Sequence, residues 1–162
     1  MSQANTAVPD DLRKALRLPD ASQVALVVRN LDEAVAHLEG VVGLGPFVRP
    51  EIRYDPIYYH GKPSPRSSFE LAFCSLGPIE LEVIMPVTRP TIYHDFLETV
   101  GEGLHHIGFD IPDLDARLEL CDRLGIRILQ MGRTPVGGFA YLDTVGRGGL
   151  MVELIQRQAR RA

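Results

Sequence analysis

The stretch QVALVVRNLDEAVAHLEGVVGLG, from Gln23, is repeated in outline by HIGFDIPDLDARLELCDRLGI, from His106. Each opens with a polar residue and a short apolar run, then turns at a Leu-Asp pair, Leu31-Asp32 and Leu114-Asp115. Each continues with apolar residues near a 3.6-residue spacing and closes on a glycine at a helix end, Gly43 and Gly125. The second halves repeat too. LAFCSLGPIELEVIMP predicts two strands around a Leu-Gly-Pro turn, and FAYLDTVGRGGLMVELIQ predicts two around a glycine-rich turn. Each half therefore reads as β-α-β-β-β with a weakly marked middle strand. Such a module leaves sheet edges and faces unburied unless two copies pair. The expected fold is α+β, two tandem βαβββ modules pairing edge to edge around a cleft.

The boundaries follow from the repeat: an N-terminal appendage over 1–20, module 1 over 21–86, a linker over 87–103 and module 2 over 104–156. A basic tail closes the chain at 157–162. A helix is expected in the linker at IYHDFLETV, and a turn or two at DDLRKALRL. The first half is longer, and the excess falls on RPEIRYDPIYYHGKPSPRSS, whose prolines and glycine mark a long loop or broken strand.

Composition narrows the classes of function. A net charge of −4 gives no electrostatic case for nucleic acid or an anionic membrane. The tail RQARR reads as a solvated end. Cys74 and Cys121 sit in apolar surroundings, as reduced core thiols do. The start MSQANTAVPDDLRK lacks the apolar core of a secretion signal, and no apolar run approaches the ~18 residues of a membrane span. The expectation is a soluble, cytoplasmic protein acting on a small molecule.

In the repeat, Gln23 and His106 take equivalent places at the head of each first strand, and Glu82 and Glu153 take equivalent places in each last strand. Symmetry would carry all four toward one centre. A glutamate flanked by Val, Ile or Leu is costly to bury alone. Two in symmetric positions ask for a shared cation, and an imidazole, an amide oxygen and two carboxylates suit a divalent metal. The bland alternative is a strand carboxylate facing solvent, since the alternation of Glu80 and Glu82 shows one charged face. His105 and His106 are adjacent, so a regular strand sends them to opposite faces.

Through RNLDEAVAHLEGVVGLGPF, GEGLHHIGFDIPDLDA and GLMVELIQ, the chain resembles the vicinal-oxygen-chelate superfamily. That superfamily includes glyoxalase I, methylmalonyl-CoA epimerase, extradiol dioxygenases and bleomycin-binding proteins. The resemblance runs from about residue 22 to 156 and is greatest toward the epimerase branch. It implies metal ligands at Gln23, Glu82, His106 and Glu153, with His106 pointing in and His105 pointing out. It implies one divalent ion per chain, Zn, Co, Ni or Mn rather than Fe, and a homodimer. Gln23 departs from the His usual in epimerases, and matches a ligand set of some glyoxalase I enzymes.

The chemistry implied is metal-assisted enolate formation, with Glu153 or Glu82 as the base, on an acyl thioester or keto acid. Inversion at one carbon needs a second acid/base, for which Glu70 is the expected residue. Its alternative reading is a solvated carboxylate. The loop IRYDPIYYHGKP concentrates Tyr54, Tyr58, Tyr59 and His60 with Arg53 and Lys62. Of these, Tyr58, Tyr59, His60 and Arg53 are expected to wall the substrate pocket, against the alternative of a loop packed on its own rings. Rival functions are a glyoxalase I-like lyase, a ring-cleaving dioxygenase, and a metal-free binding protein.

Overall fold

The computed structural model describes residues 16–157. The turn expected at DDLRKALRL falls mostly outside these residues, as does all of the basic tail after Arg157.

The first repeat begins with β1 (Gln23–Val27) and α1 (Leu31–His37), the latter extended by a π-helical turn over Leu38–Val42. Asn30 caps α1 by accepting from the Glu33 amide, and Gly43 ends the segment in a left-handed conformation. β2 (Ile57–Tyr59), β3 (Lys62–Pro63), β4 (Ser68–Leu76) and β5 (Ile79–Thr88) follow. The linker carries α2 (Ile92–Thr99), capped by the Thr91 side chain. The second repeat is β6 (Gly103–Asp110), α3 (Leu114–Arg123), β7 (Ile128–Thr134), β8 (Gly137–Leu142), the four-residue α4 (Val145–Gly148) and β9 (Val152–Gln156).

All nine strands form one sheet, ordered β3-β2-β7-β8-β9-β6-β1-β5-β4. It is mixed and curls into a half-barrel. The modules meet at its centre, where β1 and β6 run antiparallel, and each is flanked by the last strand of its own module in parallel, β5 and β9. The expected α+β architecture of two edge-paired modules is thus the observed one.

Alternation along the strands sorts the core into two layers. Ala25, Val27, Leu71, Ile84, Phe139 and Tyr141 face the concave side, where α2 plugs one end with Ile92, Tyr93 and Leu97. The intervening residues face outward. Ala72 and Val83 lie under Leu31 and Val35 of α1, and Ala140, Leu142, Val152 and Leu154 lie under Leu114 and Cys121 of α3. Burying an aliphatic side chain of this size stabilises by about 1.5–3 kcal/mol, so each helix holds its module's outer face closed. Cys74 and Cys121 are buried free thiols.

The modules differ in their middle strand. In module 1 its place beside β4 is reduced to one bridge, Val48 to Phe73. The proline-rich chain that follows, residues 49–56, instead crosses the open side of the half-barrel as a strap. There β2 pairs with β7 of module 2, with Ile57 opposite Gly132 and Tyr59 opposite Gln130. Asp55 donates its amide to the Arg133 carbonyl, and the Arg133 amide donates to that of Pro56. Pro50 and Pro56 have no amide hydrogen to give a ladder, which explains why the strand beside β4 fails. The repeat therefore holds in outline and breaks in connectivity.

Candidate metal centre and cleft

The two central strands present Gln23 and His106, and the strands beside them present Glu82 and Glu153. All four side chains are buried, with residue exposures of 2, 3, 6 and 5%. The His106 Nε2 atom lies 3.2 Å from Gln23 Oε1, 3.5 Å from Glu82 Oε2 and 2.9 Å from Glu153 Oε2. Ligand atoms of Glu82, His106 and Glu153 all fall within 4.8 Å of one another. Neither Oε2 has a hydrogen-bond partner among the described residues, although Glu153 Oε2 lies close to His106 Nε2. Burial first, then the Glu153 carboxylate and Glu80, hold the Glu82 carboxyl well above the usual carboxylate range. Two unsatisfied buried carboxylates facing an imidazole and an amide oxygen fit a divalent cation.

His105 departs from the expectation that it points out. The register of β6 slips between His106, opposite Ala25, and Leu104, opposite Leu26, so His105 has no partner on β1. Such a bulge cancels strict alternation. Both histidines are buried, and their Nδ1 atoms are 2.9 Å apart. His105 packs edge-on against Tyr93, Phe96 and Tyr141. One of two facing Nδ1 atoms must carry the hydrogen. With His105 accepting, His106 keeps a free Nε2 lone pair toward Gln23, Glu82 and Glu153.

Burial, then His106, pushes the His105 imidazole down to about 3 from 6.5. Between those values the unfolded chain binds a proton that the folded protein does not, so stability falls as pH falls from 6.5 toward 3. The contribution approaches about 1.4 kcal/mol per pH unit. His105→Phe fills the same aromatic cage and is expected to flatten that dependence in chelator-treated protein unfolded by denaturant at pH 6.5 and 4. An unchanged slope would show that His105 is already charged in the native state.

Gln23, Glu82 and Glu153 line the floor of a cleft of about 420 Å³, and the His106 imidazole lies buried behind them. Its walls are largely apolar: Val48, Pro50, Ile52 and Tyr54 from the strap side, with Phe73, Val136, Phe139 and Ile155 from the strands. Tyr54 stacks on Phe69 and meets Phe139 edge-on, so the strap's aromatic ring closes the floor. Burial, then Glu82 and Glu153, raises its phenol. Glu80, Arg157, Thr134 and Gln156 form the polar part of the wall.

Other expected residues lie elsewhere. Glu70 is exposed on β4 between Phe69 and Leu71, which face the concave core, and lines an outer depression with Arg49 and Arg53. Arg53 is exposed on the strap and does not line the cleft. Tyr58 lines a second depression with Pro56, Gly61 and Met131. Tyr59 turns to α2, where its hydroxyl donates to Asp95 Oδ2 at 2.8 Å; burial and that bond push it up to about 12. His60 is exposed at the β2–β3 turn with φ of 46° and lies edge-on to Tyr59. From the aromatic loop, the cleft takes Tyr54 instead.

Arg157, the first residue of the tail read as solvated, reaches into the cleft wall and pairs with Glu80 and Asp110. Glu80 left a signal in the sequence, since it stands two residues before Glu82 and so shares its face, but only the structure makes that face the cleft wall. Nothing in the sequence singles out Arg157 from its basic neighbours.

The half-barrel made of two like modules has counterparts among known proteins. Residues 22–141 match the glyoxalase/bleomycin resistance protein/dioxygenase superfamily, and the chain belongs to it. It is 26% identical over 136 residues to the uncharacterised protein YqjC of Bacillus subtilis (strain 168), covering 82% of this chain and 89% of that one. Among solved structures it is similar to a methylmalonyl-CoA epimerase of Streptomyces coelicolor bound to 2-nitronate-propionyl-CoA, with a TM-score of 0.68 at 21% identity, over 90% of this chain and 99% of that one. The epimerase of Mycobacterium tuberculosis gives 0.64 at 18% identity, over 95% of each chain. A hypothetical protein of Bacillus halodurans C-125 gives 0.67 at 15%, over 88% of this chain and 97% of that one. These structural likenesses establish the fold. Among the described residues, no helix is long and apolar enough to cross a membrane.

Proposed function

We propose that this protein is a metal-dependent enzyme that forms an enolate from a small carbonyl substrate, as an isomerase or epimerase of acyl thioesters or keto acids. The observation that carries the reading is the convergence of Gln23 Oε1, Glu82 Oε2 and Glu153 Oε2 on His106 Nε2, with both carboxylate oxygens unsatisfied. These four residues would hold the ion. When bound, a divalent ion supplies Lewis acidity that makes the C–H beside a carbonyl acidic.

The chain's own residues do the rest. Glu153 or Glu82 accepts the proton at a carboxyl oxygen. Phe73, Phe139, Ile155 and Tyr54 keep water from the floor, which strengthens every charge interaction there. The apolar walls favour a substrate with an apolar body and its oxygens at one end.

A glyoxalase I-like reaction is the second reading, and one observation favours it. Inversion at a single carbon needs two acid/base groups on opposite sides, yet Glu70 is outside the cleft and Glu80 is engaged by Gln23 and Arg157. Moving a proton between neighbouring carbons needs only one base.

The test incubates metal-loaded protein in D2O with acyl thioesters, keto acids and thiol–aldehyde adducts, followed by NMR. Deuterium at the carbon beside the carbonyl is expected. Inversion with exchange selects the epimerase, and isomerisation of the adduct selects the second reading. Finding neither exchange nor isomerisation with any substrate class would overturn both.

A further inference from the structure

Gln23 is the one donor of the four whose two terminal atoms differ in kind. Its oxygen can face a cation, whereas its NH2 cannot. A half-turn of the amide would therefore remove a ligand without disturbing the fold. In the structure Oε1 faces His106, and Nε2 donates to Glu80 Oε1 at 3.1 Å. Gln23 and Glu80 are register partners on β1 and β5, which brings their side chains to the same face.

The Glu80 carboxylate is itself fixed. Its Oε1 also accepts from Arg157 Nη2 at 2.9 Å, while Arg157 Nε reaches Asp110 Oδ1 at 3.1 Å. Behind the amide, Gly108 leaves the room it needs. A Cβ there would stand 3.1 Å from both Gln23 Cβ and Gln23 Oε1.

We propose that Glu80, anchored by Arg157, is a positioning residue that orients the Gln23 amide with its oxygen toward the ion site. The proposal rests on the metal-site reading above. It accounts for glutamine at this position, because a ligand with two ends requires a neighbour that selects one of them. Residues beyond the ligands that orient them are worth about 10–100-fold in metal affinity.

The test measures Mn2+ and Zn2+ affinity by calorimetry on chelator-stripped protein, with thermal unfolding of each metal-free variant. Glu80→Ala is expected to weaken binding about 10–100-fold with little change in the metal-free midpoint. Glu80→Gln keeps an acceptor oxygen and should stay close to wild type. In a Gln23→Glu background both ends of residue 23 are oxygens and Glu80 is a like charge. There Glu80→Ala should leave affinity unchanged or tighten it.

Equal harm from Glu80→Gln and Glu80→Ala, or equal weakening in both backgrounds, would mean that Glu80 acts by charge alone and overturn the proposal. So would an affinity loss that tracks a lowered metal-free midpoint, or unchanged affinity in Glu80→Ala. Wild-type protein that binds neither ion would overturn the metal-site reading, and the proposal with it. That outcome differs from a wild type that binds and a Glu80→Ala variant that binds equally well. Should Glu80→Ala fail to fold, Glu80→Leu, which fills similar volume without an acceptor oxygen, takes its place in both backgrounds with the same expected and overturning outcomes.

Discussion

Glu82→Gln is expected to weaken ion binding severely and, in the same step, to make the metal-free protein more stable. The loss should be at least about 100-fold in affinity, because a charged ligand itself, rather than a neighbour of one, gives way to a neutral amide whose NH2 the Glu153 carboxylate competes to hold. The gain has a separate origin. Without an ion, Glu82 is buried beside Glu153 with an unsatisfied oxygen, and burial, Glu153 and Glu80 all disfavour its charge. An amide of the same shape carries no charge and can donate to Glu153. Relieving such a group is worth on the order of 1–3 kcal/mol. His106→Ala is the contrasting variant: it also loses the ion, but leaves a cavity among Tyr141, Gln23 and the carboxylates, so its metal-free stability should fall. Elemental analysis and denaturant unfolding of chelator-treated protein read both effects. A Glu82→Gln variant that is less stable than wild type would mean that Glu82 is satisfied in the metal-free protein by a partner such as water.

Gly137→Ala is expected to be the most destabilising small change in the described chain, at about 3–5 kcal/mol. A Cβ at Gly137 would stand 2.0 Å from the Gln156 carbonyl oxygen, and one at Gly138 would stand 2.3 Å from that of Gly132. These atoms are backbone, so no side chain can turn aside, and Gly138 also has φ of +156°. The two glycines let β8 enter between β7 and β9 where the sheet bends, and the displaced strand end would be the one that carries Glu153 and leads to Arg157. Gly146 is the control: a Cβ there meets nothing within 4 Å, so Gly146→Ala should stay within about 0.5 kcal/mol. Equal midpoints for Gly137→Ala and Gly146→Ala in urea would show that the β8–β9 contact is looser than this packing implies.

Both glycine clusters look alike in the sequence, as turn residues, and only the closeness of neighbouring backbones separates them. The repeat made the half-barrel, the helix caps and the four converging donors legible, because symmetry turns spacing into position. It failed where symmetry fails. The strap pairs with the other module, which brought Tyr54 into the cleft and left Tyr58, Tyr59, His60 and Arg53 away from it. His105 was assigned its face by alternation, a rule that holds only while each residue has one partner across the ladder, and the bulge removes that condition. Glu70 depended on a register that a slip of one residue reverses. Glu80 was visible as a charge but not as a neighbour, since the same spacing describes a solvated face and a cleft wall.

The seam between the modules passes through the donor set: Gln23 and Glu82 belong to one side, His106 and Glu153 to the other. A fold of the sheet along that seam would act as a lever, changing the gap between the two glutamates with every degree of bend. The strap, held to Phe73 at one end and to β7 at the other, works as a tie-rod across the open side of the arch. The span that bridges the arch is the same segment that lays Tyr54 over the floor, so the length of residues 49–56 couples the spacing of the two halves to the wall of the cleft.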